Sequence, residues 1–498
     1  MNYLILSLIV SICLSSNAQC IIADQNRNVY RQNYIEPEQI QSENFVIHFT
    51  TAADDFQEIN GQLYSLQSSY EYAQSIIDLA EYSLNIYLQD GWEDIPPDCD
   101  EGITDINSPE HCINYGGNAL YDIYISNDGP GMVVPENDYS VAPYEGGRTS
   151  FMKISTLANN YSTLPSWSHH VVAHEVHHSI QMRYGTGTSG TPGNYIHNLW
   201  FFEQTATYME NVVFPESNHL YTMLANCNVV TPLTYTHYGV DYPAEIYPYR
   251  SALWQKFLVS SIGDSSIVRY MWEDYGRQFG QGQTVSLLPI YQNSISVATD
   301  NQFSLSEAFS DYAVWRYFTG QRGVQNIYFI DAAGYCTSST FDLEETYSLS
   351  SNRGGAYFID LPDEETNLAI TSDFMDDLNF THVIKNSNDE IYILELGQSS
   401  NITIDSINDG EQALIVTTKY NSLESYPISF TVVLDDDIIG DINQDNQINI
   451  SDVVLIINII LSNESNSSAD INEDGFINII DIVTLVNIIL DWYLSKCD

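Results

Sequence analysis

Residues 171–181 read VVAHEVHHSIQ and hold three of the chain's eleven histidines. An α-helix places side chains four residues apart on one face, so His174 and His178 would direct two imidazoles toward one point. Glu175 comes next after the first histidine, where its carboxylate can reach a water molecule beside a metal ion without ligating the metal. This is the H-E-x-x-H spacing. It predicts a helix that binds zinc, with Glu175 as the general base.

The remaining residues of this segment decide between a buried helix and a polar surface face. Five of them are apolar: Val171, Val172, Ala173, Val176 and Ile180. A buried helix is therefore predicted, and histidines buried in it need polar partners. His170 and His177 lie beside the pair, and either can in principle replace a ligand. A packing or supporting role is favoured for both, because the glutamate belongs to the 174/178 pair.

The third zinc ligand is expected from a second helix, in the segment LWFFEQTATYMENVV. Glu203 follows three bulky apolar residues, which would carry it into the interior. Ala206, one turn further, allows the two helices to approach closely. Glu210 lies two turns beyond Glu203 on the same side, where it can orient a ligand histidine through a hydrogen bond. The alternative is that both are surface carboxylates on an exposed helix face.

The charge of the chain is strongly one-sided, with 66 acidic and 15 basic residues among 498 and a formal net charge of −51. Because phosphate-rich partners need clustered Lys and Arg, this balance argues against nucleic acid and anionic membrane surfaces as partners. The start of the chain combines an apolar run with a small-x-small pattern ending at Ala18, which is typical of a signal peptide over residues 1–18. No later apolar run is long enough to span a bilayer. We therefore expect a secreted protein, extracellular or attached to a cell surface, that does not cross the membrane.

Six cysteines follow the predicted signal peptide, and an even number in an exported chain indicates disulfides. Cys99 and Cys112 flank one polar loop and are the expected pair. The pairing of the other four is left open by the sequence: Cys20, Cys227, Cys336 and Cys497.

The order of strand and helix patterns predicts an α+β chain. Short alternating or apolar runs predict strands, and apolar residues at helical spacing predict a long helix. After the histidine-rich segment, the pattern is mainly helical to about residue 320. Short alternating runs from 340 to 434, separated by Asn, Asp, Gly and Ser clusters, are typical of a β-sandwich. The early segments are a strand in NFVIHFTT (45–52), a helix over 59–88, and strands in YDIYISND (121–128) and TSFMKIST (149–156).

The end of the chain contains an internal repeat. DINQDNQINISDVVLIINIIL begins at 441 and DINEDGFINIIDIVTLVNIIL at 470, an offset of 29 residues with 13 of 21 positions identical. Oxygen-bearing side chains recur at positions 1, 3, 5, 9 and 12 of each copy, as in EF-hand-like Ca²⁺ loops, and position 7 contributes its backbone carbonyl. Two structural Ca²⁺ ions are therefore predicted, each loop leading into an Ile- and Leu-rich helix. The expected ligands are Asp441, Asn443, Asp445, Gln447, Asn449 and Asp452 for the first ion, and Asp470, Asn472, Asp474, Phe476, Asn478 and Asp481 for the second.

The segments VVAHEVHHSIQ and WFFEQTATYMEN resemble the Glu-ligand zincins, and the layout from about 44 to 325 is similar to a family of secreted bacterial metalloproteases. The resemblance implies one catalytic zinc ion held by His174, His178 and Glu203, with Glu210 supporting the site. In those relatives a tyrosine before a helix stabilises the oxyanion, and YPYRSALWQKFL places Tyr249 in that role. The resemblance also implies that the strand TSFMKIST pairs with extended substrate.

The repeated tail resembles a type I dockerin, a pair of Ca²⁺ loop–helix units that binds a cohesin module. That resemblance implies a cohesin-like partner contacted by Ile450, Ser451, Ile479 and Ile480. The expected fold class is thus α+β: a zincin-like metallopeptidase domain, then an all-β sandwich and a small all-α calcium-loop domain. The expected boundaries are 1–18 for the signal peptide, 40–328 for the metallopeptidase domain, 335–436 for the sandwich and 439–492 for the dockerin.

Three classes of function are compatible with these patterns. The first is a secreted zinc peptidase, more consistent with an endopeptidase because no motif for anchoring a free amine is recognisable, acting on protein or peptide substrates. The second is a surface adhesin or binding protein whose zinc domain is degenerate. The third is a zinc hydrolase of cell-wall amides. Retention of His174, Glu175, His178 and Glu203 together favours a hydrolase over the adhesin.

Overall fold

The computed structural model describes residues 30–97, 118–156, 167–185, 199–243, 246–280, 285–325, 327–342, 347–397, 400–420, 427–434, 440–443, 448–462, 466–472 and 474–495. The chain is a mixed α+β protein that divides into two compact units. The first contains the residues up to Thr340 together with Ser351–Phe358 and Ile415–Ile428. The second contains Phe341–Ser350, Ile359–Leu414 and the chain from Ser429 onward. Within the described residues, no helix is both long and apolar enough to cross a membrane.

The first unit is built on a five-stranded sheet with the order β1-β2-β5-β7-β6. The strands β2, β5 and β7 run parallel to one another, whereas β1 and β6 are antiparallel to their neighbours. A separate hairpin, β3–β4, lies between β2 and the first helix. The strands are β1 Glu38–Gln41, β2 Phe45–Phe49, β3 Phe56–Ile59, β4 Gln62–Ser65, β5 Tyr121–Ser126, β6 Gly131–Val141 and β7 Tyr144–Ser155.

Helices cover one face of this sheet and continue as a helical region after it. Their apolar side chains join those of the sheet in one large core, because alternate residues of β2, β5 and β7 point toward the helices. The helices are α1 Tyr70–Gln89, α2 Trp167–Tyr184, α3 Leu199–Val213, α4 His219–Leu224, α5 Tyr247–Arg250, α6 Leu253–Ile262, α7 Ile267–Gly280, α8 Leu287–Ala298 and α9 Leu305–Tyr317.

The long helix predicted over 59–88 begins later than its apolar spacing indicates. Residues 62–65 form the strand β4, and Leu63, which the helical pattern included, is 63% exposed. The helix begins after Ser69, whose hydroxyl accepts a hydrogen bond from the Tyr72 backbone N–H and so caps the first turn. The prediction of one helix from residue 59 was wrong, because two apolar residues at helical spacing also fit a hairpin strand.

A disulfide joins Cys227 to Cys336, two of the cysteines whose pairing the sequence left open. The bond closes a loop between residues 109 positions apart. The other predicted pair, Cys99 with Cys112, lies outside the described residues. Cys20 and Cys497 lie outside them as well.

The region after residue 340 contains two sheets, with strand orders β13-β12-β15-β10-β8 and β14-β11-β16-β9. Burial alternates along β11 and β14, so these strands turn one face to a core and the other to solvent. The strands are β8 Phe341–Asp342, β9 Tyr347–Ser351, β10 Ala356–Leu361, β11 Thr366–Thr371, β12 Leu378–Lys385, β13 Ile391–Gly397, β14 Asn401–Ile404, β15 Glu411–Thr418 and β16 Ile428–Leu434.

Two helices, α10 Ile450–Ser462 and α11 Ile479–Ser495, end the chain and follow the two copies of the repeat. They pack together through a small apolar core, to which both copies contribute. Its buried members are Val453, Ile456, Ala469, Ile471 and Leu485.

Candidate functional site

The helix α2 carries the H-E-x-x-H residues into the interior of the first unit. It packs against α1, α3 and α7 and against the strands β6 and β7. Every residue from His170 to Tyr184 is buried, polar ones included. A helix that buries this many polar side chains must satisfy them internally, so each needs a partner or a ligand.

His174, His178 and Glu203 come together at one point between α2 and α3. The Glu203 Oε2 atom lies 3.0 Å from His174 Nε2 and 3.3 Å from His178 Nε2. One ligand atom from each residue lies within 4.8 Å of the others, and all three side chains are buried. Among the described residues, this is the one group of three or more His, Cys, Asp or Glu side chains with that geometry.

Hydrogen bonds on the far side of each imidazole determine which nitrogen faces this point. His174 Nδ1 lies 2.7 Å from Glu210 Oε1, and His178 Nδ1 lies 2.7 Å from Gln181 Oε1. A carboxylate or amide oxygen can only accept, so both Nδ1 atoms carry the hydrogen. Both Nε2 atoms then present lone pairs toward Glu203, which is how histidines bind metals.

The chemistry of these three side chains suits a bound cation. Burial disfavours charge on both Glu203 and His178, and it lowers the pKa of His178 and so favours its neutral form. One carboxylate oxygen of Glu203 lies 3.0–3.3 Å from the Nε2 atoms of the two histidines, and its second oxygen has no hydrogen-bond partner. Two imidazole nitrogens and one carboxylate oxygen fit Zn²⁺, with a coordination position left for water.

Glu175 lies on the same helix but points toward the beginning of β6. It is 1% exposed, and its Oε2 atom has no hydrogen-bond partner. Burial raises the pKa of this carboxyl well above its ordinary value. A Cβ at Gly131 would lie 2.5 Å from Glu175 Oε1, so glycine at this position leaves the space that the carboxylate occupies.

Three supporting residues were not singled out from the sequence: His219, Gln181 and Gly131. His219, on α4, lies with its Nδ1 atom 2.5 Å from the second oxygen of Glu210. Gln181 bonds His178 within α2, and its amide nitrogen lies 3.1 Å from the Phe202 carbonyl, on α3. Gly131 makes room for Glu175. The roles of His219 and Gly131 depend on contacts between elements that only the fold brings together, whereas Gln181 lies one turn after His178 on the same helix.

The two additional histidines of α2 do not join the group of three. His177 packs edge-on against the rings of Tyr87 and Trp92. His170 stacks on His219 with ring centroids 4.1 Å apart. Both therefore take the packing or supporting positions that the sequence favoured for them.

Tyr249, on the short helix α5, lies beside the site. Its ring stacks on that of His174, with centroids 5.7 Å apart and an interplanar angle of 17°. The structure thus places the candidate oxyanion residue against a candidate zinc ligand.

The strand beside the site is not the one that the sequence indicated. The segment 149–156 belongs to β7, which is paired with β5 on one side and β6 on the other. Both of its edges are therefore in use, and it cannot pair with an extended substrate. Among the described strands, β6 is at the edge of the sheet, and its first residue, Gly131, touches Glu175. The sequence reasoning missed β6 because Pro135 and the polar residues after it break the alternation.

The loops before α10 and α11 have matching hydrogen bonds at their last predicted ligand. Asp452 accepts from the backbone N–H groups of Ile442, Asn443 and Asn449. Asp481 accepts from those of Ile471, Asn472 and Asn478. In each copy, one aspartate thus ties the start of the loop to its end.

The predicted ligands of the second loop are all described, whereas two of those in the first loop are not. Gly475 adopts φ +81°, the left-handed conformation that a tight turn at this position needs. Asp470 accepts from the backbone N–H groups of Asp474 and Gly475, and Asp474 from that of Phe476. In the first loop, Asp445 and Gln447 lie outside the described residues.

The residues expected to face a partner are all exposed. Ile450 and Ile479 are each 68% exposed, at the equivalent first positions of α10 and α11. Ser451 and Ile480 follow them and are also exposed. These residues leave an apolar surface at the beginning of each helix.

Comparison with known families identifies residues 439–490 as a dockerin type I domain. The dockerin predicted from the repeat is thereby confirmed, and calcium binding by this domain is supported. No curated protein matches the chain.

Proposed function

We propose that this chain is a secreted zinc peptidase, held to a scaffold or a cell surface through its dockerin. The convergence of His174, His178 and Glu203 on one buried point carries the zinc part of the proposal. The dockerin carries the attachment, because such a domain implies a cohesin partner and occurs in extracellular assemblies. Ile450 and Ile479 supply exposed apolar contacts for that partner.

The residues around the three ligands can perform amide hydrolysis. A zinc ion bound there would polarise the scissile carbonyl and make a water molecule more acidic. Glu175, one residue after the candidate ligand His174 and buried in the same helix, would take a proton from that water and deliver it to the leaving amine. Tyr249, stacked on His174, is placed to donate a hydrogen bond to the developing oxyanion.

The edge strand β6 suits an extended peptide substrate. Of the described strands, β7 is its one neighbour, so an extended peptide that reaches the other edge of β6 could add to the sheet through main-chain hydrogen bonds. Because Gly131 at the beginning of β6 touches Glu175, a peptide paired with this strand would pass the general base. This geometry favours an endopeptidase acting on unfolded or extended segments.

Glu175→Gln tests the proposal. The amide has the same shape but cannot accept the proton, so hydrolysis of casein should fall about 10²- to 10⁴-fold while the zinc content stays unchanged. Hydrolysis and zinc content are measured on the same preparations. Glu71→Gln, an exposed glutamate in the first turn of α1, is the matched control and should hydrolyse casein as the wild type does.

Two results would contradict the proposal. Undiminished hydrolysis by Glu175→Gln would place the chemistry elsewhere. A zinc-loaded wild type that cleaves no protein, but binds a partner, would favour the adhesin. Cell-wall substrates tested beside casein separate a peptidase from a hydrolase of cell-wall amides.

A further inference from the structure

The helix α3 contributes a second, separate set of polar contacts through Gln204, the residue after Glu203. Gln204 is fully buried, and its amide nitrogen donates to the Val240 carbonyl at 3.0 Å and to Ser251 Oγ at 2.9 Å. Its amide oxygen accepts from Tyr291 Oη at 2.6 Å and from Gln255 Nε2 at 2.8 Å. Both hydrogens and both lone pairs of the amide are thus used. A buried amide whose donors and acceptors are all hydrogen-bonded is held in one orientation.

Ser251 belongs to the turn that carries Tyr249. Its hydroxyl donates to the Pro248 carbonyl at 2.8 Å, and its backbone N–H donates to the Tyr247 carbonyl at 2.8 Å. The backbone N–H and the hydroxyl of Ser251 therefore both form hydrogen bonds to carbonyls of α5, at its end. Since Gln204 donates to the same hydroxyl, α3 holds this turn directly.

Gln204 and Glu203 are consecutive residues of one helix and point in directions about 100° apart. Glu203 reaches the two histidines, and Gln204 reaches the turn of Tyr249. One helix thus fixes both the candidate third ligand and the turn of the candidate oxyanion residue.

We propose that Ser251 and Gln204 are positioning residues that hold Tyr249 at the correct distance from the reacting carbonyl. This inference rests on the proposed peptidase function and names what aligns its oxyanion donor. Neither residue touches substrate; both act through Tyr249. Loss of the Gln204–Ser251 hydrogen bond should therefore reduce turnover without changing metal binding.

Ser251→Ala, measured in the full-length zinc-loaded chain, tests the inference. The hydroxyl is lost from the turn, while Gln204 keeps its bond to Val240. We expect kcat to fall about tenfold, with KM and zinc content unchanged. In a Tyr249→Phe background, Ser251→Ala should lower kcat no further, because its effect is transmitted through the tyrosine hydroxyl.

Ser83→Ala is the matched control. It also removes a buried serine hydroxyl that donates to a backbone carbonyl, that of Leu79, but in α1 rather than in the turn of Tyr249. It should leave kcat within about twofold of the wild type.

Three results would overturn the inference. They are an unchanged kcat in Ser251→Ala, an equal loss of kcat in the presence and absence of the Tyr249 hydroxyl, or an equal loss of kcat in Ser83→Ala. Each of these leaves the peptidase proposal intact if the wild type is active and Glu175→Gln is not. A wild type with bound zinc and no hydrolysis would remove both proposals together.

Discussion

Replacing Glu203 with glutamine will leave the chain folded and will lower its affinity for zinc by at least about 100-fold. The amide keeps the shape of the carboxylate but not its charge, and it is a poor ligand for zinc between two neutral imidazoles. Hydrolysis of casein should disappear at zinc concentrations that saturate the wild type. Zinc content after dialysis against graded zinc buffers measures the affinity, and thermal unfolding confirms that the fold is kept.

Two further substitutions make this prediction specific. Glu216→Gln removes a carboxylate just after α3. It should not change zinc affinity, because Glu216 is exposed and does not belong to the buried group of three. Glu210→Gln should weaken zinc binding by about 10- to 100-fold, since Glu210 orients His174 but is not itself a ligand. Full zinc affinity in Glu203→Gln would show that this glutamate is not the third ligand.

Removing calcium will unfold residues 439–490 and abolish binding to a cohesin. The core of this domain is small, and its loops gather acidic side chains with no lysine or arginine to balance them. Domains of this size usually need a metal or another covalent or bound support. Calcium at 1,000 times its Kd would stabilise the folded state by about 4 kcal/mol per site.

Asp441→Ala combined with Asp470→Ala tests this dependence without a chelator, which would also remove zinc. The two substitutions delete the first ligand of each loop. Calorimetry of the full chain should lose the calcium-dependent transition, and titration with a cohesin should give no heat. Asn458→Ala, on the exposed part of α10, should behave as the wild type. A tail that unfolds at the same temperature in the double variant would contradict the assignment of the ligands.

Spacing within a helix or loop was sufficient to predict the local parts of both sites. The spacing of four positions from His174 to His178 places two imidazoles together in any α-helix, whatever surrounds it. The repeat likewise gave the dockerin, because its ligands lie within one short loop. Glu203 was harder, and its apolar neighbours supplied the signal that it enters the interior.

Contacts between distant elements were not predictable in the same way. His219 and Gly131 contact Glu210 and Glu175 from positions that the sequence pattern does not distinguish. The order of β6 and β7 at the sheet edge also depends on tertiary pairing, which is why the sequence indicated β7, a strand paired on both sides, as the one that binds an extended peptide. The Cys227–Cys336 bond joins residues 109 positions apart, and no local pattern links them.

Diffraction from crystals of the zinc-loaded chain, measured on both sides of the zinc absorption edge, tests the central claim most directly. The account predicts one strong anomalous peak between α2 and α3. It should lie about 2.0–2.2 Å from the Nε2 atoms of His174 and His178 and from a carboxylate oxygen of Glu203. A zinc peak elsewhere, or a Glu203 side chain outside that shell, would contradict it.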